Sequence, residues 1–205
     1  MKDFPIIPVS ANSLCQKKPL YGIAINDADY KVQPVINGKK FRCKIYEKWL
    51  GMLRRCFCED FKYRNPTYKD CSVCDEWLRF SNFRMWVVTQ DWVGKELDKD
   101  LLNQGNKIYS PSTCLFISKS VNSLLLDSGR TRGSLMIGAC FEPSNNKYKS
   151  SCRVNGVSKH IGRFKTEIEA HEAYKEVKYQ VIARAAKNEP DPIRSALLRY
   201  VIPKY

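Results

Sequence analysis

The chain has 205 residues, enough for one large domain or two small ones. Hydrophobic residues make up 43% of the chain and aromatic residues 12%, so a wholly disordered protein is excluded. No apolar run approaches the roughly 18 residues that a membrane-spanning helix needs. The first residues lack the apolar stretch and small-residue cleavage site of a secretory signal. We therefore expect a cytoplasmic protein with no membrane partner.

The strongest compositional signal is positive charge. Lysine and arginine number 35 against 21 acids, a formal net charge of +14. The 76 residues after Gly129 are the more densely basic part, with 15 bases and 7 acids. Because such a chain repels itself, a polyanionic partner is the economical explanation. We expect that partner to be double-stranded DNA, since no basic amphipathic helix favours an anionic membrane, and we expect no small-molecule substrate.

Residues 1–40 are predicted to form an extended arm, because prolines interrupt them and Asn37-Gly38 is typical of a turn. Apolar residues at helical spacing predict a helix over residues 43–58. Its expected buried stripe is Ile45, Trp49, Met52, Leu53 and Cys56. The elements expected after it are a helix from about Asp75, a short strand around Leu97, a turn at Gly105-Asn106, a segment ending at Ile117 and a helix from about Ser118.

The C-terminal part predicts three antiparallel strands and one helix. The strand-length segments are residues 135–141, 148–154 and 158–164. Asn155-Gly156 between the last two is the strongest short-range hairpin signal. Thr166 with Glu169 forms a capping box that opens the helix. The expected buried stripe of this helix is Ile168, Ala170, Ala173, Tyr174, Val177 and Val181.

The sequence therefore predicts an α+β fold whose C-terminal domain is a three-stranded antiparallel sheet packed on one helix. The sheet face away from the helix must meet solvent or a ligand. An arginine on a strand in the major groove can contact guanine through two hydrogen bonds. The alternative is an ordinary exposed sheet with solvated charges. The candidate DNA-binding residues are Lys147, Lys149, Arg153, Lys159 and Arg163, the last four sharing one face by strand alternation, together with Arg130 and Arg132.

A longer motif in this part resembles an Apetala-two/ERF-type DNA-binding domain. It runs through Cys152-Arg153-Val154-Asn155-Gly156 and Ile161-Gly162-Arg163-Phe164-Lys165-Thr166 to Glu169-Ala170-His171-Glu172-Ala173-Tyr174. The resemblance assigns residues 130–189 to such a domain and implies that the sheet reads DNA. The sheet has no tryptophan, so base contacts would come from arginine and lysine. Residues 190–205 follow as a C-terminal tail.

The preceding part resembles phage-encoded HNH homing endonucleases, many of which carry this C-terminal module. Matching segments are Tyr46-x-x-Trp49-x-x-Met52-x-x-Arg55-Cys56, Val73-Cys74-Asp75-Glu76-Trp77, Leu97-Asp98-Lys99-Asp100 and the run from Gly105 to Cys114. The resemblance implies a degenerate ββα-metal domain over residues 41–129 and a location in the bacterial host cytoplasm. Together the two resemblances cover roughly residues 43–185.

The HNH resemblance also implies a metal site. Such enzymes use a histidine base to activate water, while an acid and an asparagine hold one divalent cation. Here Asp98 and Asn122 would hold Mg²⁺ or Mn²⁺, with Asp100 nearby as a substitute carboxylate. The base position is Lys99, which is normally protonated and unsuited to act as a base. Thr113, a weaker ligand, replaces an expected asparagine.

Nine cysteines need a separate interpretation. An odd number in a reducing compartment argues against a disulfide framework. Cys71-x-x-Cys74 could instead begin a structural zinc site. The alternative is that the thiols are buried as small hydrophobic side chains. The other candidate zinc ligands are Cys43, Cys56, Cys58 and Cys114.

Two functions stay open from the sequence. One is sequence-directed binding of duplex DNA with metal-dependent nicking or cleavage. The other is a catalytically decayed DNA binder that acts as a regulator or by occupying DNA. The histidines do not favour catalysis, because His160 and His171 both lie in the C-terminal domain and not in the HNH-like one.

Overall fold

The computed structural model describes residues 4–10, 12, 17–126 and 133–205. Its helices and small sheets confirm the predicted α+β class. The chain divides into two compact units, Met1–Ser118 and Lys119–Tyr205. Within the described ranges, no helix combines the length and the apolar character needed to cross a membrane.

The first unit combines helices with small two-stranded sheets. Its helices are α1 (Lys44–Phe57), α2 (Glu59–Arg64) and α3 (Phe80–Val88). Its strands are β1 (Val35–Ile36), β2 (Lys39–Lys40), β3 (Ser72–Val73), β4 (Glu96–Asp98), β5 (Ile108–Tyr109) and β6 (Leu115–Ile117). Strand β1 pairs with β2 and β4 with β6, both antiparallel, whereas β3 and β5 are parallel.

Helix α1 supplies the centre of this unit's core. All five residues of its predicted stripe are buried, which confirms the helical periodicity. Trp49 Nε1 donates a hydrogen bond to Trp77 O at 2.7 Å, which satisfies the polar atom of a fully buried side chain. Trp77 packs edge-on against Phe83 of α3, with ring centroids 5.0 Å apart. The core therefore joins α1 to α3 through aromatic side chains.

The segment predicted as an extended arm also contributes to this core. Ala28 and Tyr30 are buried in it. Asp27 caps the start of α3, because its carboxylate accepts from Ser81 N at 2.8 Å and from Ser81 Oγ at 2.7 Å. The sequence predicts an extended arm over residues 1–40, whereas in the structure the later part of this segment is packed into the core of the first unit.

The second unit contains the predicted sheet and helix. Its elements are α4 (Lys119–Leu125), β7 (Ala139–Glu142), β8 (Lys147–Val154), β9 (Val157–Phe164), α5 (Glu167–Ala186) and α6 (Ile193–Arg199). The sheet order is β7-β8-β9, antiparallel throughout. Asn155 and Gly156 have φ of 51° and 81°, as a two-residue hairpin turn requires. The capping box at Thr166 and Glu169 is also confirmed.

The buried face of α5 differs in part from the predicted stripe. Ile168 is 59% exposed, so its assignment to the core was wrong, whereas His171, Ile182 and Ala186 are buried. Helix α6, which the sequence did not predict, packs against α5. The periodicity of one helix carries no information about a partner that the chain supplies later.

Residues 190–205, predicted as a tail, fold onto the same unit. Ile193 and Leu197 of α6 are buried. After α6, Tyr179 Oη accepts a hydrogen bond from Ile202 N at 3.3 Å, and Lys204 O accepts one from Ile137 N at 3.0 Å. The last residues therefore close around the helix and the start of the sheet.

Gly138 is held by close packing against α5. Its φ is +85°, and a Cβ added there would lie 2.1 Å from Tyr174 Cγ. We expect Gly138→Ala to lower the free energy of unfolding by about 3 kcal/mol, because the left-handed backbone and the overlap both oppose a side chain. Urea denaturation of the full chain measures the loss.

Gly156→Ala is the matched control for this substitution. Gly156 has φ +81° but nothing within 4 Å of an added Cβ. It should therefore lose only the backbone part, about 1 kcal/mol. Equal losses for the two variants would show that contact with Tyr174 does not matter.

Candidate nucleic-acid interface and nuclease residues

Alternation along β8 determines which of its residues lie on the sheet face away from α5. Ser150 and Cys152 are buried, and α5 packs on that side of the strand. Lys147 and Arg153 are exposed on the other side, where Lys149 also lies. Strand alternation predicted this division of β8 correctly.

A β-bulge changes the register of β9. Ser150 pairs with Gly162, but Ser151 pairs with His160, so Ile161 is the extra residue. Lys159 consequently pairs with Cys152 and belongs to the helix side of the sheet. The expectation that Lys159 shares a face with Lys149, Arg153 and Arg163 is therefore corrected, because one inserted residue reverses the alternation beyond it.

We call the solvent side of the sheet the open face. Its members are Cys140, Glu142, Lys147, Lys149, Ser151, Arg153, Ser158, His160 and Arg163. It carries four lysines and arginines against a single acid. Lys147, Lys149 and Arg153 form no ion pair with any residue in the described part of the chain. The open face is therefore a concentrated positive surface with free cations.

The acid on the open face is Glu142, which holds Arg163. Arg163 Nε donates to Glu142 Oε2 at 2.6 Å, and Nη2 donates to Oε1 at 3.4 Å. Asn145 donates a further hydrogen bond to Glu142. Hydrogen bonding by Arg163 and Asn145 lowers the pKa of Glu142 to about 2. Arg163 is thus oriented across the sheet by a carboxylate that stays ionised.

Two members of the open face were missed by sequence reasoning. Glu142 ends β7 one residue beyond the predicted strand, so strand alternation did not place its carboxylate beside the lysines and arginines of the open face. His160 reaches the open face only because of the bulge. No short motif announces that bulge, although Ser150 and Ser151 lie on the strand opposite it. Arg130 and Arg132, which were also predicted to bind DNA, lie outside the described residues.

Asp98 lies at the end of β4 in the first unit. Its Oδ1 accepts hydrogen bonds from Asp100 N at 3.0 Å and from Leu101 N at 2.7 Å, which closes a tight turn. Its Oδ2 has no hydrogen-bond partner among the residues that the structure describes. Burial raises the pKa of Asp98, against the lowering effect of the two backbone N–H groups. One carboxylate oxygen is therefore used by the fold and the other is available.

The side chain of Lys99, at the predicted base position, stabilises the fold of its loop. It is 4% exposed, and its Nζ donates to Asp100 Oδ1 at 2.6 Å and to Asn106 O at 2.9 Å. Asn106 Nδ2 returns a hydrogen bond to Lys99 O at 2.9 Å. Lys99 therefore ties together the loop between β4 and β5, and it engages the carboxylate of Asp100, the suggested substitute ligand.

The other residues considered for the nuclease site lie outside β4 and the loop that follows it. Asn122 is half-buried in α4, which belongs to the second unit, whereas Asp98 belongs to the first. Thr113 Oγ1 donates to Ile108 O at 2.7 Å, so its hydroxyl is engaged in a turn before β6. His171 is buried with Nδ1 2.7 Å from Ile137 O, a structural position within the second unit.

The cysteines considered for zinc are buried or half-buried. Burial raises the pKa of the Cys56 and Cys114 thiols to about 12 each, and it also raises the pKa of Cys71 and of Cys74. Cys43 Sγ lies 3.4 Å from Tyr30 Oη. Over the described residues, no three His, Cys, Asp or Glu side chains meet in an arrangement suited to a metal ion. The zinc site stays a prediction.

Comparison with known proteins adds no assignment. No family model matches the chain, and neither a curated protein nor a solved structure matches it.

The pair formed by Glu142 and Arg163 predicts a specific titration. We expect the Glu142 carboxyl to titrate at about pH 2 in the folded chain. Because its pKa is depressed, the stabilisation by this pair is present above the pKa of an unfolded glutamate, about 4.3, and is lost as the pH falls from there towards 2. Carboxyl NMR of the full chain measures the titration.

Arg163→Gln should move that titration upward, because it removes the charged donor. Lys175→Gln, at a half-buried position on α5 where lysine pairs with Glu172, is the control and should leave Glu142 unchanged. An Arg163→Gln chain whose Glu142 still titrates at about pH 2 would show that Arg163 is not the cause.

Proposed function

We propose that the chain binds duplex DNA through the open face of the second unit. The observation that carries this proposal is the row of Lys147, Lys149 and Arg153 on β8, whose charges are unpaired among the described residues. The opposite side of β8 is packed on α5, so this row is turned towards solvent. A cationic strand surface of this kind suits the phosphates of nucleic acid.

The dimensions of the row suit a duplex. Lys147 and Arg153 are separated by six residues of strand, or about 20 Å. Duplex DNA carries a negative charge about every 1.7 Å of its axis, so a row of this length meets several phosphates. An arginine among them can also form two hydrogen bonds with a guanine edge. Phosphate contacts supply the affinity, and Arg153 is proposed to supply sequence preference.

The sequence resemblance supports the same proposal. An Apetala-two/ERF-type domain is a three-stranded sheet with one helix that reads DNA with the sheet. The second unit has a three-stranded sheet and a helix against one of its faces. On this proposal the open face corresponds to the DNA-reading surface, with arginine and lysine in place of tryptophan.

Metal-dependent cleavage of the bound DNA is a second candidate function. The favouring observation is Asp98, whose Oδ2 is without a partner among the described residues while Oδ1 is fixed by the turn. Asp98 would hold Mg²⁺ or Mn²⁺, and the ion would act as a Lewis acid at the scissile phosphate. Strands β4 and β6 pair antiparallel, and α4 is the next element along the chain after β6, as the order of a ββα-metal domain requires.

Lys99 favours the alternative, a DNA binder that has lost catalysis. Its Nζ is buried and engaged by Asp100 and by the carbonyl of Asn106, so it is not placed to activate a water molecule. Such a protein would act as a regulator or by occupying DNA. The two candidates share DNA binding and differ only in whether Asp98 performs chemistry.

Arg153→Ala tests the open face. If Arg153 reads a base, we expect affinity for a preferred duplex to fall by about 1–3 kcal/mol and sequence preference to relax. Titrations that monitor fluorescence anisotropy with duplexes of different sequence measure both. Arg184→Ala, which removes an exposed arginine from α5, is the matched control. Equal affinity of both variants and the unmodified chain would remove Arg153 from the interface.

Asp98→Asn tests cleavage. Asparagine keeps an oxygen that can accept the two turn hydrogen bonds but removes the charge that would hold a cation, so metal-dependent nicking should vanish while DNA binding persists. Supercoiled plasmid incubated with Mg²⁺ or Mn²⁺, against an EDTA control, separates nicked and linear products on a gel. Asp91→Asn, at an exposed carboxylate, is the control.

The plasmid assay distinguishes the nuclease from the DNA binder that has lost catalysis. Nicking that survives Asp98→Asn would exclude Asp98 as the metal ligand. Intact but retarded plasmid with the unmodified chain in both metals would favour the decayed binder. Nicking by the unmodified chain and by Asp91→Asn, but not by Asp98→Asn, would support the nuclease.

A further inference from the structure

We propose that the β1–β2 hairpin, residues 35–40, is a second DNA-contacting element and that it lies in the first unit. The proposal rests on DNA as the partner of the chain, but it uses no residue of the open face. It assigns a function to a segment that the sequence predicts only as part of an extended arm.

The hairpin has a tight turn and is fixed at its base. Asn37 and Gly38 have φ of 49° and 73°, the two positive values of a tight turn whose twist matches the strands. Below the strands, Phe41 N donates to Pro34 O at 2.9 Å, and Pro34 is fully buried. The tip, residues 37–40, is exposed. The segment therefore projects from the core as a short, preorganised ribbon.

The exposed end of this ribbon is purely cationic. Residues 30–46 contain five lysines and arginines and no acid. Arg42 and Lys44 are engaged by Glu47, at 3.7 Å and 2.9 Å. Lys39 and Lys40 have no ion-pair partner in the parts of the chain that the structure describes. Lys39 Nζ lies 5.4 Å from the centroid of the Phe41 ring, which orients it without neutralising it.

The register places these two lysines on opposite faces of the ribbon. Ile36 pairs with Lys39, and Val35 pairs with Lys40. Successive strand residues point to opposite sides, so each face carries one ammonium group. The major groove of duplex DNA is about 12 Å wide, admits a two-stranded ribbon and has phosphates along both walls. A ribbon entering edge-on would meet one wall with each lysine.

Charge removal on the hairpin tests the proposal. The double variant Lys39→Gln with Lys40→Gln should weaken binding to a labelled duplex of about 30 base pairs and lower the slope of log affinity against log salt by about 2. Lys18→Gln with Lys69→Gln removes the same charge from exposed lysines elsewhere in the first unit and should leave the slope nearly unchanged. Circular dichroism checks that both variants fold.

A third variant, Lys149→Gln with Arg153→Gln, separates this proposal from that of the open face. A reduced slope in both the hairpin and the open-face variants supports both. A reduced slope in the hairpin variant alone supports the hairpin and removes the open face. If only the open-face variant weakens binding, or if the hairpin variant equals its Lys18 and Lys69 control, the hairpin proposal is overturned, as it is if the unmodified chain binds no duplex.

Chemical protection gives a readout independent of substitution. Acetylation of the full chain should modify Lys39 and Lys40 readily without DNA and slowly with a saturating duplex, as quantified by peptide mass spectrometry. Lys18 should be modified equally in both conditions. Equal modification of Lys39 and Lys40 with and without DNA would contradict the proposal.

Discussion

The register of β8 against β9 is the constraint on which the surface of the second unit depends. Without the bulge, Ile161 would pair with Ser151 and lie on the open face beside its lysine and arginine side chains. The inserted residue gives that place to His160. A bulge also increases the local twist of a sheet. One residue of register therefore removes a branched apolar side chain from the open face and puts a histidine in its place.

A comparable constraint governs the loop after β4 in the first unit. A buried ammonium group needs an opposite charge and further hydrogen bonds, and Lys99 finds them in Asp100 and the carbonyl of Asn106. Loss of Asp100 would leave an uncompensated charge in a buried position. The turn that holds Asp98 is therefore maintained by hydrogen bonds and an ion pair within the loop itself. Its geometry serves the fold whether or not Asp98 performs chemistry.

Local signals predicted most of the elements. The stripe of α1, the Asn155-Gly156 turn and the capping box of Thr166 each involve residues a few positions apart, so the sequence displays them directly. The errors concern contacts between distant segments. Ile168 was assigned to the core by helical periodicity alone, and Lys159 to the open face because a bulge has no short motif.

The candidate sites also divide into features visible in the local sequence and features set by contacts between distant segments. The basic character of β8 was visible in the sequence, whereas the engagement of Arg163 by Glu142 depends on two strands that are not adjacent in the sheet. Lys99 was recognised as unsuited to be a base. Its burial, which explains why a lysine is useful there, depends on Asn106 and on the loop folding back. Sequence thus identified residue types, and three-dimensional pairing decided their roles.

The pairing of like charges is the strongest physical argument that the open face has a partner. Lys149 and Arg163 are directly opposite across β8 and β9, an arrangement that destabilises a sheet. Glu142 relieves it only in part, because it engages Arg163 and leaves Lys149 without an ion pair among the described residues. Exposed charges contribute little to folding in any case. On the proposal of DNA binding, phosphates at the open face would supply the opposite charge that Lys149 lacks.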